Sequence, residues 1–311
     1  MTLEQLRIFI AVAESLHVTR AAAKLNLTQS AASASIAALE ARYHCRLFHR
    51  TGRRIELTDT GKEFLAAAKA VMADVAQAES VLSELSGLQR GHLDLQASQT
   101  IANYWLPPLL QKFHQRHPGI RLSVTIGNTA SVARAVLEGQ ANLGFIEGDI
   151  DEPILTRLPV QGDELVLVVG KGHPWAGQKR VTPAALQQAA WVMREPGSGT
   201  RQILEDALRR LGVDPARLNV ALELPSNEAV RSAVIAGAGI TALSSLVVDA
   251  GLRASRLHRV GPIFASREFL VLRHGERHHS KAETALLEMI RQQRDHTARR
   301  PASPKKAKTS A

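Results

Sequence analysis

Three short polar turns in the second half of the chain combine residue types that hold small anions in proteins. Each turn opens a predicted helix, and a helix N-terminus offers free backbone amides and a partial positive charge. Glycines in the third turn allow a ligand to approach the backbone closely. The alternative role of each turn is ordinary capping of the helix that follows. The turns contain Ser98, Gln99 and Thr100, then Asn128 and Thr129, then Gly197, Ser198, Gly199 and Thr200.

Two charged residues flank these turns and leave the charge of a ligand open. Arg194 precedes the third turn and offers a charge-assisted hydrogen bond to an anion. Glu147 ends a predicted strand and would repel an anion unless it is protonated or paired. We therefore expect a small-molecule site at these turns, with an oxyanion or a carboxylate as the favoured ligand.

A basic cluster near the N-terminus indicates nucleic-acid binding more directly than the net charge does. The chain carries a net charge of +10, but residues 291–311 alone hold seven Lys/Arg against one Asp/Glu. Residues 1–90 are nearly balanced, with eleven against nine. What counts is a local cluster opposed only by Glu56 and Asp59. The cluster consists of Arg42, Arg46, Arg50, Arg53, Arg54 and Lys62.

The elements around this cluster form the pattern of a helix-turn-helix followed by a β-wing. Apolar residues recur at helical spacing over residues 3–15, which predicts a first amphipathic helix. Thr19 is the predicted cap of a short helix over residues 20–25, and Thr28 is the predicted cap of a third helix. The tight turn between these two helices is typical of helix-turn-helix proteins. A glycine turn and an alternating strand at residues 55–58 then predict a basic wing.

A long helix with an apolar seam is predicted after the wing. Residues 59–88 contain no proline and, after Gly61, no glycine until the end of the segment, and apolar residues repeat every three, four or seven positions. Such a seam needs a partner surface, and we expect a second copy of the chain to provide it. The alternative is packing against the same chain.

Strand patterns alternate with helix patterns over about 200 residues that follow. This alternation predicts parallel-type sheets covered by helices, in two lobes with a cleft beyond the carboxyl ends of the strands. We expect the chain to cross between the lobes at residues 160–163 and 262–266. The strands are predicted at 93–97, 120–126, 143–146, 165–169, 220–224, 240–243 and 269–272, and the helices at 106–116, 131–137, 200–211, 227–236 and 281–294.

Composition and missing motifs argue against several other classes of protein. The single cysteine, Cys45, excludes an intrachain disulfide and fits a reducing cytoplasm, and we expect it in a core. Residues 237–242 satisfy the dinucleotide fingerprint but lead into a strand instead of following one, so we reject it. His274, His278 and His279 lack the partners of a metal site. Neither a membrane span nor a secretion signal is indicated, and no cofactor is expected.

Two sequence runs resemble the N-terminal signature of LysR-type transcriptional regulators. They are TRAAAKLNLTQSAASASIAALE at residues 19–40 and RLFHRTGRRIELTDTG at residues 46–61. The later order of elements resembles the effector domain of that family, which has the type 2 periplasmic-binding-protein fold. Three further runs resemble one branch of the family, which contains regulators of sulfur assimilation and carbon fixation. These runs are ASQTIANYWLPPLL, IGNTASVARAVLEGQANLGFIEG and REPGSGTR.

The resemblance implies both a domain organisation and a set of DNA-contacting residues. Short polar side chains at the start of the recognition helix would contact base edges or phosphates, and wing arginines would contact phosphates or the minor groove. Many relatives carry a long side chain just after the position of Ser33, where Ala34 and Ser35 stand here. A solvated basic surface is the alternative role of the arginines. The recognition-helix residues are Thr28, Gln29, Ser30 and Ser33, and the wing residues are Arg50, Arg53 and Arg54.

The implied domains have definite boundaries. They are a winged helix-turn-helix domain over 1–58, a linker and dimerisation helix over 59–90, an effector domain over 91–297 with lobe I at 91–161 and 267–297 and lobe II at 162–266, and a disordered basic tail over 298–311.

The expected function is therefore that of a DNA-binding regulator controlled by a small molecule, not an enzyme. Its expected partners are double-stranded promoter DNA, a small anionic effector, and further copies of the chain in a dimer or tetramer, with RNA polymerase as a further candidate. We expect it in the cytoplasm. The bilobal region leaves two alternatives: a solute-binding protein, which would need a signal peptide or lipid anchor, and an enzyme using Ser198, Arg194 and Glu147.

Overall fold

The computed structural model of the chain describes residues 1–51, 54–85 and 91–298. These residues form two compact units. The first contains residues 1–85 and the segment Leu137–Gln140, and the second contains the other described residues. Within the described ranges, no helix is both long enough and apolar enough to cross a membrane. The predicted basic tail lies outside the described residues except for Ala298, the last residue of the final helix.

The first unit consists of helices α1 to α4 and a two-stranded antiparallel wing. Thr28 caps α3 as predicted, because its hydroxyl accepts a hydrogen bond from the amide of Ala31. The predicted cap of α2 is wrong: His17, not Thr19, precedes this helix, and its ring accepts a hydrogen bond from the amide of Arg20. The elements are α1 (Leu3–Ser15), α2 (Val18–Lys24), α3 (Gln29–Tyr43), β1 (Phe48–Thr51), β2 (Arg54–Leu57) and α4 (Asp59–Leu85).

A shared apolar core holds these elements together. Phe9 of α1 is fully buried, and its ring centroid lies 5.5 Å from that of Phe48 in β1 and 4.8 Å from that of Phe64 in α4. Buried alanines in α2 and α3, such as Ala32, allow the two helices to approach closely. Cys45 is half-buried and packs against this core, as expected. The recognition helix is therefore held by α1, α2 and the wing together.

The second unit is built on one continuous mixed sheet with the strand order β4-β3-β5-β10-β6-β9-β7-β8. The pairs at its two ends are parallel, as the βα alternation predicts. In the middle, β6 and β10 are antiparallel to each other. The strands are β3 (Gly91–Ser98), β4 (Ile120–Gly127), β5 (Leu143–Glu147), β6 (Leu155–Gly170), β7 (Ala190–Arg194), β8 (Asn219–Leu224), β9 (Ile240–Ser244) and β10 (Leu257–His274).

The two long central strands contain the stretches at which we expect the chain to cross between the lobes. The stretches at 160–163 and 262–266 lie inside β6 and β10. The register between the two strands shifts between Arg259 and Ile263 and again near Phe269. Such bulges accommodate glycine and proline without ending a strand. The two lobes are therefore connected by continuous strands that pair with each other.

Helices cover both faces of this sheet. Leu167 and Val168 are adjacent in β6 and both are buried, which requires cover on both sides because neighbouring strand residues face opposite ways. The sequence patterns did not predict β7, α7 or α10. A π-helical turn, Ile101–Trp105, precedes α5. The helices are α5 (Leu106–Arg116), α6 (Thr129–Leu137), α7 (Pro183–Gln188), α8 (Gly199–Arg210), α9 (Asn227–Ile235), α10 (Ser245–Arg253) and α11 (Lys281–Ala298).

A buried carboxylate lies in the first turn of α11. Glu283 is 4% exposed, and its backbone amide donates a hydrogen bond to the hydroxyl of Ser280. The ring Nδ1 of His279 lies 3.5 Å from the Glu283 carboxylate. Burial raises the pKa of Glu283 to about 7, although hydrogen bonds with Ser280 and Asn142 oppose the rise. The folded protein therefore favours the neutral form of this side chain.

We expect the substitution Glu283→Gln to stabilise the protein more at alkaline pH than at acidic pH. The folded-state pKa of about 7 is above the ordinary value of 4.5. The stabilisation by the protonated carboxyl is therefore complete below the ordinary pKa and is lost as the pH rises through the folded-state pKa. The Glu283→Gln variant should therefore have a higher free energy of unfolding than the wild type at alkaline pH. This difference should grow between about pH 5 and about pH 8, by at most ~3 kcal/mol.

Urea unfolding followed by tryptophan fluorescence measures this difference, because Trp105, Trp175 and Trp191 all belong to the second unit. Glu288→Gln removes an exposed carboxylate from the same helix and serves as the control. A gain that does not change with pH, or an equal gain in the control, would contradict the expectation.

Candidate functional site

The predicted recognition residues lie together at the start of α3. Thr28, Gln29 and Ser30 are exposed, and Ser33 is half-buried. The Gln29 amide donates to the Ser33 hydroxyl over 2.9 Å, and the hydroxyls of Thr28 and Ser30 are 3.0 Å apart. Hydrogen bonds between exposed groups contribute little net stability, so they are readily exchanged for bonds to another molecule. These four residues form one polar patch.

The wing is anchored to the recognition helix by a carboxylate. Glu40 of α3 accepts hydrogen bonds from the amides of Leu47, at 2.7 Å, and Phe48, at 3.2 Å. At Gly61 in the first turn of α4, an added Cβ would lie 2.2 Å from the carbonyl oxygen of Leu47, so only glycine fits there. These contacts fix the wing relative to α3.

The structure places the predicted wing arginines only by their backbone. Arg50 pairs with Ile55 and Arg54 pairs with Thr51, so both lie on the strands of the wing. Arg53 lies outside the described residues. The backbone of the described residues therefore forms the two strands of the wing that the sequence predicts next to the recognition helix.

The predicted ligand-binding residues of the second unit meet at a buried polar cluster where the two lobes join. Their side chains come from the ends of β3, β5 and β7 and from the starts of the helical segments that follow these strands and β4. Most are buried although they are polar, which requires each to be hydrogen-bonded. The buried predicted residues are Ser98, Thr100, Thr129, Glu147, Arg194, Ser198, Gly199 and Thr200.

Arg267 of β10 lies at the centre of this cluster, and sequence reasoning missed it. It is 6% exposed. Its Nη2 and Nε donate to Asp163 of β6, at 2.7 and 3.1 Å, and Nη1 donates to Thr200 at 3.0 Å. Nη2 also donates to Thr100 at 3.2 Å, and Nη1 lies 3.3 Å from the Glu147 carboxylate. One guanidinium therefore joins residues from both lobes.

A strand pattern would have identified both charged residues. In β10, Arg267 is two residues before the buried Phe269, and in β6, Asp163 is two residues before the buried Leu165. Because alternate residues of a strand share a face, both charges are in phase with the core. The predicted strands at 165–169 and 269–272 begin too late to include them.

Glu147 is paired in the structure, so its charge is compensated. Its carboxylate accepts hydrogen bonds from the hydroxyls of Ser98 and Thr200 and contacts Arg267. Its carbonyl oxygen accepts a bond from Thr129 at 2.5 Å. An added Cβ on Gly199 would lie 1.8 Å from that carbonyl, so α8 can approach β5 this closely only with glycine here.

Arg194 forms a second ion pair of the cluster, in which the arginine is buried and Glu195 is half-buried. Its Nε and Nη2 donate to the two carboxylate oxygens of Glu195 at 2.7 and 2.8 Å, and Nη1 donates to Asn227 at 2.5 Å. Burial alone would raise the pKa of Glu195, but hydrogen bonds from Arg194 and Asn128 hold it below its usual value. Asn227 also donates to Thr100 over 3.1 Å, which links the start of α9 to lobe I.

Gln99 of lobe I makes two further hydrogen bonds to the start of α9. Its Oε1 accepts a hydrogen bond from the amide of Asn227 at 2.8 Å, and its Nε2 donates to the carbonyl of Pro225 at 2.7 Å. Helix capping, the alternative role of the turns, is seen for two residues. Asn128 accepts from the amide of Ser131, and Ser198 accepts from the amide of Arg201.

Two protein-family models match the chain. The model described as bacterial regulatory helix-turn-helix protein, lysR family, matches residues 3–62. The model described as LysR substrate binding domain matches residues 86–295. Together they confirm the predicted fold class, a winged helix-turn-helix followed by a long helix and a bilobal α/β effector domain.

Relatives with assigned names are transcriptional regulators. The HTH-type transcriptional regulator CysL of Bacillus subtilis is 36% identical over 259 residues, which cover 83% of this chain and 84% of CysL. The probable RuBisCO transcriptional regulator of Trieres chinensis is 32% identical over 288 residues, which cover 90% of this chain and 93% of that protein. The regulatory domain of Synechocystis PCC6803 CcmR, solved in complex with 2-PG, is 28% identical with a TM-score of 0.61 and covers 68% of this chain and 100% of that domain.

We expect Arg267→Met to destabilise the second unit by about 3 to 5 kcal/mol, because Asp163 and Glu147 would keep their buried charges without a cationic partner. Arg253→Met is the control. Arg253 pairs with Asp249 on the exposed surface of α10, and a surface pair of this kind contributes only about 0 to 1 kcal/mol. Urea unfolding followed by tryptophan fluorescence compares the two. An equal loss in free energy of unfolding in both variants would show that the buried ion pairs of Arg267 stabilise the protein no more than a surface pair does.

Proposed function

The chain belongs to the LysR family of transcriptional regulators, and we propose that its effector domain senses a small anion at the buried polar cluster. The residues proposed to form the site are Ser98, Gln99, Thr100, Asn128, Thr129, Glu147, Arg194, Ser198, Gly199 and Thr200, and Arg267 joins them. The observation that supports an anion is the presence of two guanidinium groups, those of Arg194 and Arg267, beside the N-termini of α8 and α9. Such donors match carboxylates and oxyanions.

The surroundings of Glu147 suggest a second requirement for the ligand. This buried carboxylate can only accept hydrogen bonds while it is ionised, and Ser98 and Thr200 supply two of them. A ligand that enters beside Glu147 must offer a donor as well as an acidic group. A hydroxy acid or a protonated oxyanion combines the two. A sulfur oxyanion or a small metabolic acid therefore fits the site chemically.

Binding would act on the contacts that join the lobes. Thr100 and Gln99 of lobe I bond to Asn227 of lobe II, and Tyr104 bonds to Glu228 over 3.1 Å. A ligand that prefers another arrangement of the lobes shifts the population toward it. In an oligomer this shift changes the spacing of the DNA-binding domains, without any ligand contact to DNA.

We propose a dimer or tetramer assembled through α4. Val71, Val81 and Leu82 of this helix are exposed large apolar residues, Leu82 to 68%. An exposed apolar seam on a long helix is suited to a second helix of the same kind. The predicted domain boundaries, a cytoplasmic location beside the chromosome and contact with RNA polymerase belong to the same proposal.

Replacing both Ser98 and Thr100 with Ala should weaken the effector response about tenfold or more and leave DNA binding without ligand intact, because both hydroxyls belong to the buried cluster. Fluorescence anisotropy with the chain's own upstream DNA measures binding with and without sulfite, sulfate, 2-PG or small hydroxy acids. Ser232→Ala, an exposed residue of α9, is the control. Equal loss of effector response and of DNA binding would show that the double variant acts through folding.

We also propose that the start of α3 and the wing contact DNA, as the winged helix-turn-helix of the family does. Replacing Arg50 and Arg54 with Ala should weaken binding to all sequences and reduce the slope of log affinity against log salt by about one per lost phosphate contact. Gln29→Ala should instead reduce the preference for the operator over random DNA.

Anisotropy titrations at several salt concentrations, with operator and scrambled duplexes, separate these effects. Arg7→Ala removes an exposed arginine of α1 from the same unit and is the matched control. A salt slope unchanged in the wing variant, or changed equally by Arg7→Ala, would rule out phosphate contacts from the wing.

A further inference from the structure

A basic cavity on lobe II is separate from the effector cluster and shares no lining residue with it. Its volume is about 450 Å³, and it is lined by residues 177–180 together with Arg259, Gly261 and Pro262. Three of the lining residues are cationic, and Lys179, Arg180 and Arg259 are all exposed. The cavity therefore presents positive charge to solvent.

Two irregular segments of chain form the cavity. The loop after β6 folds through successive turns, and Gly177 has a φ of +83°. The opposite wall is the bulge of β10 between Arg259 and Ile263, where Gly261 has a φ of +72°. The amide of Gly261 donates to the carbonyl of Gln178 at 3.2 Å and ties the two walls together. Glycines at both walls leave room beside the backbone for a ligand.

Lys179, Arg180 and Arg259 have no acidic residue in their own segments of chain. Residues 171–182 contain three Lys or Arg residues and neither Asp nor Glu, and residues 250–266 contain three Arg residues and again neither. In the described part of the chain, no carboxylate lies within ion-pair distance of Lys179, Arg180 or Arg259. Two other exposed arginines of the lobe, Arg209 and Arg253, do have carboxylate partners. An anion in the cavity would relieve the repulsion among its cations.

We propose that this cavity binds a small phosphorylated anion with two or more negative charges. Its volume is within the range of about 300 to 1,000 Å³ that small-molecule sites occupy. Lysine and arginine are the residues that proteins use for phosphate groups. Duplex DNA would need cations spread along an extended surface, whereas these three line one concavity. A phosphorylated metabolite therefore fits the site better than nucleic acid does.

The test is a calorimetric titration of the full-length chain with inorganic pyrophosphate at physiological salt. The wild-type chain should bind one pyrophosphate, and the double variant Lys179→Gln/Arg259→Gln should lose about tenfold or more in affinity. Arg210→Gln/Arg217→Gln removes two exposed charges from the same lobe outside the cavity and should bind as the wild type does. Arg180→Gln, a single exposed change, is the second cavity variant should the double variant fold poorly.

Four results would overturn the proposal. The first is that the wild type does not bind pyrophosphate, and the second is an equal loss of affinity in the Arg210/Arg217 control. The third is loss of pyrophosphate binding in the Ser98→Ala/Thr100→Ala variant while the cavity variant still binds it. The fourth is weaker binding of duplex DNA by a cavity variant that binds pyrophosphate normally. The third result would assign pyrophosphate to the effector cluster, and the fourth would assign the cavity to DNA. Failure of the effector proposal leaves this test unaffected, because it uses different residues.

Discussion

The arrangement of the effector domain depends on one buried ion pair between its two central strands. Arg267 of β10 and Asp163 of β6 are direct partners in the antiparallel register, at the place where the chain passes from one lobe to the other. Burying two such charges costs several kcal/mol unless both are paired and hydrogen-bonded. Thr100, Thr200 and Glu147 complete that pairing from three further elements. The lobes therefore meet in a polar arrangement that tolerates few alternatives.

A fully paired polar cluster and an apolar core respond differently to a ligand. In the DNA-binding unit, Phe9 packs against two further rings, and Glu40 anchors the wing, so the start of α3 is held rigidly. Between the lobes, by contrast, each hydrogen bond has a definite partner that a ligand with suitable groups can replace. The chain thus combines a DNA-binding unit of fixed shape with an effector domain whose proposed site has exchangeable contacts, as a ligand-controlled regulator requires.

Local sequence pattern was sufficient for most of the fold. The helices α1 and α5 were predicted with their observed ends, and Thr28 was identified as a cap, because periodicity and capping depend on residues within a few positions of each other. Sequence patterns did not predict β7 and α10, because a short apolar segment does not distinguish a strand from a helix. The expected crossings at 160–163 and 262–266 lie inside long strands, because the pairing of β6 with β10 accommodates Gly261 and Pro262 as a bulge.

By itself the sequence determined the family, the order of most of the elements and the polar residues at the helix starts, since each of these depends on residues close together in the chain. Tertiary structure decided which of those residues act together. Ser98 and Thr200 share Glu147 as an acceptor although about a hundred positions separate them, and Arg267 became central only through its pairing with Asp163. The physical reason is that a buried charge is stable only beside its partner, and the partner is chosen by strand register, which no local pattern encodes.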